Sequence, residues 1–218
     1  MMQSEDVARY STVTRVIHWS TAVLILIAIP LGLISSSIGP KATDSTLKAL
    51  RENLLFWHKS IGVTVLLLAL VRIGWHLTHR RPPLPAHLPR GERAAANTVH
   101  GLLYLLMVGM PVTGIILSQS VGYPVSVFGL FTVPAIVHPD LSVPVMQRLG
   151  VQIGFVLHKR VLAYSLFAVL AFHVLGLLKH QFIDRDPSIW RRMAPTRLRG
   201  SAKQDTGTAL PDQAGTTI

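Results

Sequence analysis

The chain has no cysteine. That absence removes disulfides, iron–sulfur clusters, thiolate zinc sites and covalent c-type haem attachment together. Acids are scarce as well, 10 Asp and Glu against 21 Lys and Arg. All of the acids lie outside the four long apolar runs, although proton and cation pumps usually carry an intramembrane acid. Transport of that kind is disfavoured, and so is hydrolysis by paired carboxylates. Only 14% of residues are charged, while 50% are apolar. That balance is too apolar for an ordinary soluble domain. The net charge of +11 reads as loops facing anionic lipid, with no nucleic-acid partner.

What is present is four apolar runs, at about 16–37, 54–78, 97–120 and 150–183. They predict an all-α fold, an integral membrane four-helix bundle occupying residues 1–195, with 196–218 as a polar, disordered tail. The first run carries Pro30 and Gly32 in its second half, and the third carries Pro111 and Gly114. A cleaved signal peptide would have a basic leader and a shorter apolar core. Here the leader carries Glu5 and Asp6, and the run contains His18, so it reads as a retained helix. The longest connection, 121–149, holds the apolar pieces VSVFGLF and VPAIV between prolines. It is expected to lie on the membrane surface. With both termini cytoplasmic, thirteen Lys and Arg fall on the inner side and seven on the outer, as the positive-inside rule requires.

The last run organises the rest. Its histidines His158 and His173 are fifteen residues apart, about 22 Å along a helix and within about 60° of one direction. Ionisable side chains inside a membrane default to a functional reading. By depth, His58 at the start of the second run pairs with His158 on the outer side. His18 at the start of the first pairs with His173 on the inner side. Two imidazoles at one depth, from two helices, are what a b-type haem iron needs on its two faces. Arg72 follows His58 by fourteen residues, about 21 Å on the same face, close to the inner pair, where it either neutralises a haem propionate or snorkels to the headgroups. Arg15, one turn before His18, is a second propionate candidate or an interfacial anchor. His76 is the rival ligand, but choosing it would leave His18 without a partner, so it is assigned to the cytoplasmic interface. His100, opening the third run, is a candidate donor to a propionate or quinone oxygen, or a helix cap. His79, His87, His138 and His180 are expected to be solvated.

These stretches resemble the prokaryotic cytochrome b-561 family of small four-helix di-haem cytochromes. The resemblance rests on YSTVTRVIHWS, with Tyr10, Ser11, Arg15, His18 and Trp19, and on WHKSIGVTVLLLALVRIGW in the second run. HGLLYLLMVGMPVTG in the third run adds His100, Tyr104, Met110, Pro111 and Gly114, and FGLF and the paired histidines of the fourth run complete it. It covers about residues 8–195. It implies two non-covalent b-type haems, with His18, His58, His158 and His173 as iron ligands. It also implies electron transfer between a periplasmic-side donor and the quinone pool of a bacterial inner membrane, with ubiquinone as acceptor. Family members include a superoxide oxidase, and others serve dehydrogenases or hydrogenases as electron-transfer subunits. The donor is therefore superoxide or a redox protein, and spacing does not choose. Lys59, Lys159 and Arg160, each beside an outer ligand, form a positive rim that suits a small anion, lipid phosphate, haem propionates or an acidic partner. The competing class is a non-redox membrane protein whose histidines pack or bind metal.

Overall fold

The structure is a computed structural model and describes residues 9–40, 42–79, 82–83 and 88–195. Four long helices carry it: α1 Thr12–Ile38, α2 Ser45–Thr78, α3 Arg90–Val121 and α4 Leu149–Ile183. A short helix, α5, spans Ser188–Met193. All four long helices are long and apolar enough to cross a membrane. Their outward faces confirm the solvent they are built for: Leu26, Leu67, Leu105 and Phe172 are each more than half exposed. In water such faces would be a liability, whereas in lipid they are the proper surface.

The helices begin earlier than their apolar runs. Thr12 opens α1, where the Ser11 hydroxyl accepts from the Thr14 amide at 3.2 Å. Ser45 opens α2, nine residues before the expected 54, because Asp44 accepts from the Leu47 amide at 2.8 Å. Arg90 rather than 97 opens α3, with Glu92 in its first turn, where a carboxylate suits the helix dipole. Hydropathy finds the part of a helix that meets lipid, and capping chemistry sets where the helix starts. The expected tail from 196 onward, and His87, lie outside the described residues.

Two clusters form the packed side of the bundle. Ile61, Val65, Ala69 and Met107 gather Leu24, Ile25 and Leu31 between α1, α2 and α3. Val63 and Ile115 meet Val125 and Val127 of the connection after α3. That connection carries local structure that the sequence reading did not expect. It forms a small antiparallel hairpin, Ser126–Val127 with Phe131–Thr132. Its inner side is packed into the bundle, because Val125 and Val127 are buried and Ser60 accepts from the Phe128 amide at 2.9 Å. Much of the rest points away, with Tyr123, Leu130, Phe131, Ile136 and Leu141 each more than half exposed.

The fourth helix packs mainly along α3. Arg148 ties its start to the end of α3, donating to the carbonyls of Ser120 and Val121. At the other end, Lys179 bridges Glu92 of α3 and Asp184 at 2.9 and 2.7 Å. Within α4 the turn Leu157–Leu162 is π-helical. One extra residue in that turn leaves His158 and His173 within about 40° of one another, still on one face.

After α4 the chain folds back onto α1. The last carbonyls of a helix have no partner within it. Those of α5 and Ala194 are met by α1 and the residues before it. The Arg9 Nε donates to Arg191 O and the Tyr10 amide to Arg192 O. The Trp19 Nε1 donates to Met193 O at 2.8 Å and the Arg15 Nη1 to Ala194 O.

Candidate functional site

The gap between α4 and its neighbours α1 and α2 is where the histidines meet. His58 of α2 faces His158 of α4 with ring centres 6.2 Å apart. His18 of α1 faces His173 of α4 with ring centres 6.3 Å apart. Two imidazoles on opposite sides of one metal ion stand with ring centres roughly 6.3 Å apart, given metal–nitrogen bonds of about 2.0–2.1 Å and a ring centre about 1.1 Å behind each nitrogen. Both gaps have the width that a metal centre held by two histidines requires.

The His58/His158 rings are also oriented. His58 Nδ1 lies 2.8 Å from the Ala28 carbonyl, and His158 Nδ1 lies 2.9 Å from the Met110 carbonyl. A carbonyl only accepts, so each Nδ1 carries the hydrogen and each Nε2 is left as a lone-pair donor. A glycine makes each approach possible. A Cβ built on Gly32 would stand 2.7 Å from His58 Cε1, and one on Gly114 would stand 2.9 Å from His158 Cε1. Each glycine follows its acceptor carbonyl by four residues, one helical turn. Thr113 adds a longer contact to His158 Nδ1 at 3.3 Å.

The His18/His173 end is built differently. His18 Nδ1 is buried without a hydrogen-bond partner. Trp19 packs edge-on against His18 at 5.2 Å and against Trp190 of α5 at 5.7 Å. His100 stands 5.3 Å from His173, closer than His18 does, and its Nδ1 lies 2.7 Å from the Ala96 carbonyl. At that separation no ion fits between facing rings. Arg72 lies over the Tyr104 ring at 5.3 Å, and its charge reaches both His18 and His173. Arg15 donates to Ala194 O and Thr12 Oγ1, and its buried Nε keeps no partner.

The rival, His76, sits against Tyr104 at 5.7 Å and joins neither pair. Of the histidines expected in solvent, His79 is exposed and His180 is largely covered. His180 Nδ1 bonds Asp184 at 2.8 Å with its side chain only 15% exposed, and His79 stacks on Trp75 at 3.6 Å. His138 lines a surface cavity of about 320 Å³ with Asp140 and Arg148. The residues that sequence reasoning missed are the acceptors Ala28 and Met110 and the role of the two glycines.

Paired inward histidines in a cysteine-free membrane bundle suit non-covalent haem, and the comparisons give the family. The family described as prokaryotic cytochrome b561 matches residues 9–196. The chain belongs to that family. Among relatives, "Cytochrome b561 homolog 2" of Escherichia coli (strain K12) is 31% identical over 202 residues, covering 91% of this chain and 95% of its own length. A second, "Probable superoxide oxidase CybB" of Yersinia pestis, is 24% identical over 191 residues, covering 87% of this chain and 98% of its own. This cytochrome b561 family member is thus a multi-pass membrane electron-transfer protein in contact with lipid, and its family implies bound haem b.

Proposed function

We propose that the protein holds two b-type haems, one between His58 and His158 and one between His18 and His173. In this reading it passes electrons from a donor outside a bacterial inner membrane to quinone within it. The observation that carries the reading is the pair of imidazole gaps, 6.2 and 6.3 Å wide, at opposite ends of one helix. Bound haem supplies reversible one-electron chemistry at each end, and the chain supplies ligands, orientation and field. Arg72 and the free Nε of Arg15 are the cations available to propionates near His18. His100 stands beside His173 as a polar neighbour. Both termini lie in the cytoplasm, following the loop charges.

The donor we propose is superoxide. Lys59 and Lys159 directly follow the two ligands of the outer pair, with Arg51 and Arg160 nearby. Lys59 donates to Pro124 O at 3.2 Å, and Lys159 and Arg160 both rest against the Phe155 ring. Among the described residues no carboxylate pairs with these cations. A positive rim concentrates a small anion and raises its encounter rate, and salt weakens the effect. Two superoxide ions would each lose one electron and leave as dioxygen. One ubiquinone would take both electrons and two protons from water to become ubiquinol.

The test mixes oxidised protein with a superoxide source and follows the haem absorbance, then ubiquinol. Fast, salt-sensitive reduction that slows when Lys59, Lys159 and Arg160 are replaced together by Gln supports the oxidase. No response to superoxide, with rapid reduction by a co-purifying dehydrogenase, replaces it with an electron-transfer subunit. Colourless, fully helical protein made with ample haem would defeat the redox reading altogether.

A further inference from the structure

The two histidine pairs are not equivalent, and the difference lies in what holds the far nitrogen of each ring. At one end both Nδ1 atoms reach backbone carbonyls, at 2.8 Å for His58 and 2.9 Å for His158. At the other end His18 Nδ1 is buried with no partner, and His173 makes no ring hydrogen bond among the described residues. A histidine that donates its second N–H to an acceptor becomes a more basic ligand. A more basic ligand stabilises the more positive, oxidised metal and lowers its reduction potential.

From this asymmetry we infer that Ala28 O and Met110 O, reached over Gly32 and Gly114, set the His58/His158 centre at the lower potential, so that electrons run downhill from it to the His18/His173 centre. The inference rests on the two-haem reading above. The step moves one electron, forms and breaks no bond and moves no proton: the first centre is oxidised as the second is reduced. Cations flank both pairs, Lys59 and Lys159 one and Arg72 the other, and each raises the potential of its own centre, so the ligand hydrogen bonds must outweigh the larger positive charge beside His58 and His158. The ligand hydrogen bonds distinguish the ends. In the topology proposed above, the direction is from outside to inside, which suits an external donor.

Gly32 and Gly114 are positioning residues in this scheme. An added methyl would meet the imidazole carbon at 2.7 or 2.9 Å, well inside the ordinary carbon contact of about 3.5–4.0 Å. The ring must retreat, and the bond from Nδ1 to the carbonyl stretches or breaks.

The experiment is a potentiometric titration of the purified haem-loaded protein, read by electron paramagnetic resonance of the two low-spin signals. Because the chain has no native cysteine, a nitroxide can be placed on Leu130→Cys, at the exposed hairpin tip, where the nearer ferric haem speeds the nitroxide's own relaxation until that haem is reduced; the potential at which the nitroxide slows identifies the nearer haem without altering either pair. The expected result is that the nitroxide slows at the lower of the two potentials. Gly32→Ala or Gly114→Ala should raise that potential and leave the other unchanged. If two haems are present and the nitroxide slows at the higher potential, or the glycine variants move the other centre, the inference is overturned while the two-haem reading stands. If the protein binds one haem, both fall. Should the alanine variants lose haem, the labelled protein with both glycines still decides the order.

Discussion

The sharpest question that the geometry raises is which ring shares a metal with His173. His100 is the nearer neighbour, at 5.3 Å, and His18 the farther, at 6.3 Å. Proximity alone would choose His100. Under the two-haem proposal the choice reverses, because two imidazoles facing one ion need ring centres roughly 6.3 Å apart. His18 meets that separation and His100 falls short of it by about 1 Å, half of a metal–nitrogen bond of about 2 Å. Closing that deficit would require the His100 ring to give up its bond to the Ala96 carbonyl. Removing His18 should therefore lower the low-spin haem from about two to about one per chain, by loss of a ligand that nothing else replaces. His100→Ala should leave about two low-spin haems in place. The assay is a haem count on purified protein against protein concentration, with the low-spin spectrum recorded and helical content checked by circular dichroism. If His100→Ala lost the low-spin haem while His18→Ala retained it, the metal-gap reasoning would be wrong at this end of the bundle.

Replacing His158 by Ala should remove the other low-spin signal and spare the one that depends on His18, so the two single variants together should account for both. Trp19→Phe keeps the ring contact with Trp190 but deletes the N–H bonded to Met193 O at 2.8 Å. The loss of one such bond costs about 0.5–1.5 kcal/mol, and the temperature of haem release should drop by a few degrees. The third concerns pH. Hydrogen bonds from Lys179 hold the Asp184 carboxyl below its ordinary range. A depressed folded pKa gives stability that is present above the unfolded value and lost as pH falls through the folded one. The contribution should therefore be nearly complete at pH 5 and decline progressively as pH falls below about pH 4. In Asp184→Asn that acid-side fall in thermal stability should be reduced.

Much of the fold was readable because lipid imposes a simple rule. A span must satisfy its own backbone and show apolar side chains outward, so four apolar runs meant four helices. The rule says nothing about helix ends above the lipid, and there the readings were short, by nine residues at Ser45 and seven at Arg90. It also gave no sign of the hairpin in the connection after α3. Apolar pieces between prolines do not say which of them turn inward, and only the fit of Val125 and Val127 against Val63 and Ile115 shows it.

The histidine pairs were legible for a different reason. An imidazole in an apolar run is costly enough to need a purpose, and depth can be counted at a fixed rise per residue. That count tolerated an error: the π-helical turn containing His158 changes the phase of α4 without taking either ring off the inner face. The acceptor carbonyls were not legible, because a backbone oxygen has no letter of its own. The prolines nearby are misleading on this point. Proline removes the donor to the carbonyl four residues earlier, which at Pro30 and Pro111 means Leu26 and Met107. The carbonyls that receive the imidazoles are instead Ala28 and Met110, each one turn before a glycine. In an apolar helix a glycine reads as a small loss of stability. Only when a ring from another helix is seen within 3 Å of its missing Cβ does the glycine become part of the site, and two such glycines, each serving one member of the same pair, make that end of the bundle chemically distinct from the other.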